Sequence, residues 1–209
     1  MKLTKFEHSC MVLEKNGRVI VIDPGGFSES FRPVPNTDAL IIAHEHGDHY
    51  DPDKIAAIRE LNPDVKIFTT ASVAKEVDGA TEIHTGDKVT IGGFDIEFFG
   101  HDHAPILDNV VPCDNFGVVV DGVFSYAGDS FAIPPVHPTV IALPASAPWL
   151  KVDESVKYMT AVKPARAFPT HNALLSKSGE SVVYNWLNRC AAECGTEFID
   201  LQPGQSIEI

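Results

Sequence analysis

The densest chemistry in the chain is His44-Glu45-His46-Gly47-Asp48-His49, which sets four metal-ligand residue types within six positions. It follows directly on Ala39–Ala43, an apolar run too short for a helix and suited to a buried strand. Imidazole and carboxylate suit zinc, and also manganese or iron. Alternate residues of an extended chain point the same way, so His44 and His46 can grip one ion. The chain then turns, which lets Asp48 and His49 face a second ion close by.

Other polar groups sit at comparable places. His101-Asp102-His103 follows the strand-like Phe94–Phe99, Gly128-Asp129-Ser130 follows Val123–Tyr126, and His171 follows Ala165–Phe168. The elements that must carry them are short. Leu3–Glu7, Met11–Lys15 and Arg18–Ile22 read as strands, the last two joined by the hairpin signal Asn16-Gly17. Asp51-Pro52 opens a helix with an N-cap acceptor and a proline at its first position. Lys66–Thr69 is a strand, Ser72–Val77 a short helix, and Lys88–Ile91 pairs with Phe94–Phe99 around Gly92-Gly93. Val118–Val120 and Val123–Tyr126 pair around Asp121-Gly122. Val140–Leu143 is a buried strand, Asp153–Val162 a helix and Ala165–Phe168 a strand. A long helix over Ser178–Cys194 and strands Glu197–Asp200 and Ser206–Ile209 close the chain. Nothing divides the two halves, so residues 1–209 read as one α/β domain, two similar halves packed sheet against sheet with helices outside.

The first motif is similar to the HxHxDH signature of the metallo-β-lactamase superfamily, and the later groups fall in that family's order. The resemblance runs from Phe6-Glu7-His8-Ser9 to His171. It is strongest to the small stand-alone bacterial hydrolases near the ascorbate-lactonase group, through the early His8-Ser9 and Ile22-Asp23-Pro24. It implies the αβ/βα four-layer sandwich, two sheets face to face between outer helices. It implies two divalent metal ions, zinc or else manganese or iron, held by His44, His46, Asp48, His49, His103, Asp129 and His171. His103, followed by the small Ala104, is the better match for the third ligand of the first metal; His101 is the alternative, or a residue behind the ligands. Asp129 is expected to bridge the ions, and Asp48 to hold one ion and orient the nucleophile. Two dications set against two carboxylates and a bridging hydroxide leave one net positive charge for a developing oxyanion or a phosphoryl group. Asp23 is expected to orient a ligand histidine from behind, and His8 to support the metal loop. Trp149 and Lys151, in the loop after Val140–Leu143, and Asn115 and Asn172 are candidate substrate contacts. His84 and His137 read as surface residues.

The implied activity is hydrolysis of a small ester, lactone or phosphodiester by that hydroxide. Alternatives on the same fold are a tRNA-processing-type nuclease, a di-iron redox protein and a non-catalytic scaffold. The di-iron group places glutamate where His46 stands, and a scaffold loses ligands. Twenty-nine acidic residues against 16 basic ones, a net charge of −13, count against nucleic acid. The expected partner is a small molecule. No apolar run approaches a membrane span, the first residues lack the apolar segment of a signal peptide, and four cysteines without paired spacing suit a reducing cytoplasm.

Overall fold

Alternation of apolar residues builds the architecture. In strands β2 (Met11–Lys15), β3 (Arg18–Ile22) and β4 (Thr37–Ile42), the set Met11, Leu13, Ile20, Ile22, Ala39 and Ile41 faces one side. Val12, Val21, Leu40 and Ile42 face the other. A sheet with two apolar faces needs cover on both, so these strands lie between a second sheet and helices. The computed structural model describes all 209 residues.

The first sheet has the order β14-β1-β2-β3-β4-β5-β6, adding β1 (Lys2–Lys5), β5 (Lys66–Thr69), β6 (Thr81–Glu82) and β14 (Ser206–Glu208). Its β14, β1, β2 and β3 are antiparallel neighbours, while β3 to β6 run parallel. The second sheet has the order β13-β12-β11-β10-β9-β8-β7. Its strands are β7 (Lys88–Ile91), β8 (Phe94–Phe99), β9 (Gly117–Val120), β10 (Phe124–Tyr126), β11 (Val140–Pro144), β12 (Arg166–Thr170) and β13 (Glu197–Phe198). It repeats the plan: antiparallel from β7 to β10, parallel from β10 to β13.

Helices α1 (Pro52–Leu61) and α2 (Ala71–Ala74) cover the first sheet, with Ile55, Ile58 and Val73 on Leu40 and Ile42. Helices α3 (Val152–Val162) and α4 (Lys177–Cys194) cover the second, through Tyr158, Met159, Leu187 and Ala191. The largest apolar cluster, 22 buried residues drawn from both sheets, fills the space between them. These are the four layers of the metallo-β-lactamase sandwich. No helix is long and apolar enough to cross a membrane.

The expected signals act where they stand. Asn16 and Gly17 both take positive φ, and Lys15 pairs with Arg18 across the turn. The Asp51 side chain accepts from the backbone N–H of Asp53 and Lys54 at the start of α1. Several elements are shorter than read, among them the strand expected over Glu197–Asp200, which is only Glu197–Phe198. The helix expected over Ser72–Val77 is the single turn α2, which ends before the Lys75-Glu76 stretch. The first strand stops at Lys5, because His8 bends the chain with φ +59°.

Candidate metal centre

Every loop that carries a candidate ligand leaves the same edge of the sandwich. The His44–His49 turn follows β4, which runs parallel to its neighbours, and His171 follows β12 likewise. His103 comes after β8 and Asp129 after β10. Carboxyl ends of parallel strands are where α/β sheets gather functional loops, and here the two sheets present theirs to each other.

The ligand-type atoms form three groups, each within 4.8 Å. His44, His46 and His103 make the first; His8, Asp48, His49 and His171 make the second; His44, His49 and Asp129 make the third, which links the other two. Asp129 Oδ1 is 3.2 Å from Nε2 of His49, and its Oδ2 is 2.9 Å from Nε2 of His171, 3.4 Å from Nε2 of His103 and 4.0 Å from Nε2 of His44. Asp48 Oδ2 is 3.4 Å from Nε2 of His171. Two pairs among these groups bond, His8 Nε2 with Asp48 Oδ2 at 3.0 Å and His44 Nε2 with His46 Nδ1 at 3.1 Å. Nε2 of His49, His103 and His171 and Oδ1 of Asp129 are buried and have no hydrogen-bond partner. Buried polar atoms are otherwise paired as a rule. Lone pairs aimed together at shared points are what a cation needs.

The groups behind the ligands fix that aim. The Nδ1–H of His103 donates to the Ala104 carbonyl at 2.5 Å, and that of His171 to the Ser146 carbonyl at 2.6 Å. His49 Nδ1–H donates to Asp23 Oδ2 at 2.7 Å. Each bond places the proton on Nδ1 and leaves Nε2 free to ligate. Asp23 is fully buried at φ +44°, where its Oδ1 accepts from the Ala43 N–H and its Oδ2 also accepts from the Tyr126 hydroxyl. His8, at φ +59°, reaches Asp48 Oδ2 with Nε2 at 3.0 Å, and His171 stands at φ +54°. Such backbone is costly for residues with side chains and persists where its surroundings over-determine it. Two glycines let the loops close: a Cβ on Gly25 would overlap the Asp48 carbonyl, and one on Gly128 would overlap the Asn115 amide.

The electrostatics follow from the crowding. Burial opposes charge on Asp129, yet the imidazoles of His49, His103 and His171 hold its carboxyl well below the usual range. Asp48 is likewise depressed, against its burial, by His171 and His8. Burial opposes protonation of His171, but Asp129 and Asp48 push its pKa up to about 9. Burial and the neighbouring His49 take His44 the other way, well below the ordinary imidazole value. Two ionised carboxylates among clustered imidazoles make a donor set suited to divalent metal ions. The residues fit a metal centre.

The structure thus brings together His44, His46, Asp48, His49, His103, Asp129 and His171, with His8 and Asp23 behind them. Four expectations need correction. His101 takes no part: its side chain is 60% exposed and its Nε2 faces Asp114 at 3.7 Å. Asn115 is buried, and both ends of its amide are occupied, Nδ2–H by the Ala127 carbonyl and Oδ1 by the Asp129 N–H. It positions Asp129 and is fully buried, out of reach of a substrate. Asn172 is occupied in the same way by Lys5 and Tyr184. Trp149 is buried, with its indole N–H donating to Asp129 Oδ2 at 3.0 Å and its ring against His103 and His171. It holds the carboxylate rather than offering a free face to substrate. Lys151 is exposed just before α3, and its backbone N–H donates to Glu154. Tyr126 is the participant that sequence reasoning missed; a tyrosine on a buried strand carries no signal of its partner.

Comparison with known proteins agrees with this geometry. Residues 2–171 match the family described as the beta-lactamase superfamily domain. Protein Rv0786c of Mycobacterium tuberculosis is 31% identical over 193 residues, covering 90% of this chain and 91% of that one. A metallo hydrolase of Ignicoccus hospitalis, Igni18, superposes with TM-score 0.73 at 19% identity over 100% of this chain and 98% of its own. An isothiocyanate hydrolase from Delia radicum gut bacteria superposes with TM-score 0.69 at 17% identity, over 100% and 99%. With its sandwich, its HxHxDH turn and a matched region that ends on His171, the chain belongs to the metallo-β-lactamase superfamily of metal-dependent hydrolases.

Proposed function

We propose that this protein hydrolyses a small ester, lactone or phosphodiester at a pair of divalent metal ions, zinc by preference. The observation that carries the reading is the set of buried, unpartnered Nε2 atoms of His49, His103 and His171 around an unpartnered Asp129 oxygen. His44, His46 and His103 would hold one ion, and Asp48, His49 and His171 the other, with Asp129 between. When bound, such ions supply hydroxide near neutral pH and an electropositive field for the oxyanion.

The protein's own groups do the rest. Asp48, kept ionised by His8 and His171, accepts a hydrogen bond from the attacking nucleophile and aims it. His8 fixes the Asp48 carboxylate by the bond at Oδ2. Trp149 and the Asn115 amide fix Asp129, one through its carboxylate and one through its backbone N–H. No serine or cysteine nucleophile is needed. The four cysteines are free thiols, which suits a reducing, cytoplasmic compartment.

The test pairs metal analysis with a screen. Protein loaded with zinc or manganese should bind two ions and cleave at least one class among lactones, esters, thioesters and phosphodiesters, and Asp48→Ala should lose at least about a hundredfold in rate, as loss of a group acting on the nucleophile does. One ion per chain, or equal rates from Asp48→Ala on every hit, refutes the reading.

A further inference from the structure

Large apolar side chains that remain exposed are concentrated around the metal centre. Ten are exposed in the whole chain, and three of these, Leu61, Val182 and Trp186, lie on helices. The other seven lie in loops that leave the centre. Phe27 follows the Asp23 turn and lays its ring against His8, centroids 5.2 Å apart. Ile106, Leu107, Val110 and Val111 lie between His103 and Cys113, and Ile133 and Leu174 follow Asp129 and His171.

The 104–112 loop is tied to the ligands at both ends. The His103 N–H donates to the Cys113 carbonyl at 3.0 Å, the Ala104 N–H donates to the Asp129 carbonyl at 2.8 Å, and Asp102 bridges to Asp114. Cys113 Sγ stands 3.9 Å from His46 Nε2. Both stems of the loop that carries Ile106, Leu107, Val110 and Val111 are thus anchored beside the ligand-type residues.

The charges of the same loops point the same way. No lysine or arginine occurs in residues 100–116, 127–139 or 171–176, the stretches that carry six of the seven apolar side chains, although exposed Lys151 and Lys177 lie outside them. Asp102, Asp108 and Asp114 stand in the first stretch and Glu45 is exposed in the His44–His49 turn. Arg32, in the loop of Phe27, is tied to the carbonyls of Glu29 and Phe31. Beyond the ions themselves, these stretches offer a phosphodiester or another anion no free cation. Acidic groups beside apolar ones repel anions and favour uncharged carbon.

Resting on the hydrolase reading above, we propose that these loops form an apolar mouth that receives the aliphatic or aromatic part of a neutral acyl substrate, an ester or lactone. Within the three substrate classes of that reading, the mouth disfavours the anionic phosphodiester.

A binding series tests this without turnover. Neutral n-alkyl hydroxamates, from acetyl to octanoyl, are titrated calorimetrically into the zinc-loaded protein, so that the head group is constant and only the chain grows. A fully buried methylene contributes about 0.8 kcal/mol, about fourfold in affinity; in an open mouth about twofold is expected, or about sixtyfold over the six added methylenes. A carboxylate at the far end of the octanoyl chain should erase that gain. In the Leu107→Ser/Val111→Ser variant, whose changes lie on exposed positions, the slope per methylene should fall toward one. Affinity that is flat with chain length, or undiminished by the terminal carboxylate, overturns the proposal. So does a variant that keeps the slope while changing the oligomeric state or adsorption to lipid vesicles. Absence of ester turnover with the slope intact would instead refute the hydrolase reading and leave the mouth standing.

Discussion

Replacing Asp23 by asparagine should weaken the second metal position while leaving the fold in place. The two Asp23 oxygens serve three donors: the Ala43 N–H at 2.7 Å on Oδ1, and on Oδ2 both His49 Nδ1 and the Tyr126 hydroxyl, each at 2.7 Å. An amide offers one oxygen and one NH2. The Ala43 backbone N–H cannot become an acceptor, so the oxygen must face it and the NH2 must face His49 and Tyr126. The tyrosine hydroxyl can rotate to accept, but His49 can accept only by moving its proton from Nδ1 to Nε2, the atom aimed at the ion. Asparagine tolerates the positive φ of this position, so backbone strain does not confuse the outcome. A hydrogen bond to a charged group is worth about 1.5–3 kcal/mol, which corresponds to a loss of about 10- to 100-fold in affinity, the usual range for a partner behind a metal ligand. Zinc titration against a competing chelator should therefore show one site near the wild-type affinity and one weakened by that factor. Two sites of unaltered affinity in a folded Asp23→Asn protein would show that the Asp23–His49 bond does not set the imidazole's ligating atom.

Two further substitutions probe other links. Trp149→Phe keeps the ring against His103 and His171 but removes the donor to Asp129 at 3.0 Å. By the same charge-assisted scale kcat/KM should fall about tenfold or more with both ions retained, and an unchanged rate would make the indole a packing group only. Lys5 is fully buried, its ammonium donating to the Phe6 carbonyl and Asn172 Oδ1, and burial lowers its pKa to about 8. Between about pH 8 and the unfolded value near 10.5 the unfolded chain binds the proton that the folded chain has released, so stability rises with pH through that window. The shift corresponds to about 3 kcal/mol, and urea unfolding of Lys5→Met across pH 8–10.5 should lack that rise; parallel curves would refute the assignment.

Much of the frame was legible because each cue is local. Asn16-Gly17 makes a turn wherever two strands meet it, and Asp51-Pro52 starts a helix with no help from outside. The turn His44–His49 is likewise self-contained, since its donors are neighbours in sequence. Its partners were legible only through the order of the family's motifs, because His103, Asp129 and His171 are each ordinary residues in their own surroundings. The misread positions share one cause. Asn115 and Asn172 offer the right functional group, but whether an amide is free depends on what it meets, and here both ends meet protein. Tyr126 reaches Asp23 across 103 positions, a distance over which no periodicity speaks. Strand β6, two exposed residues at the edge of the sheet, has no alternation to betray it.

The placement of the ligands gives the centre a second consequence, for stability. The first sheet supplies His44, His46, Asp48 and His49, and the second supplies His103, Asp129 and His171, so neither sheet closes a donor group alone. His8, from the first sheet, and His171, from the second, are joined through their backbones, the His171 N–H donating to the His8 carbonyl at 3.1 Å. An ion that binds only when the sheets are docked stabilises the docked form by mass action, about 2.7 kcal/mol at a hundred times its dissociation constant. The apolar cluster between the sheets and the donors at its rim therefore close the same seam, one by excluding water and the other by attraction to cations. That coupling accounts for the tolerance of strained backbone at His8, Asp23 and His171: each sits where the seam, rather than its own strand, decides its conformation.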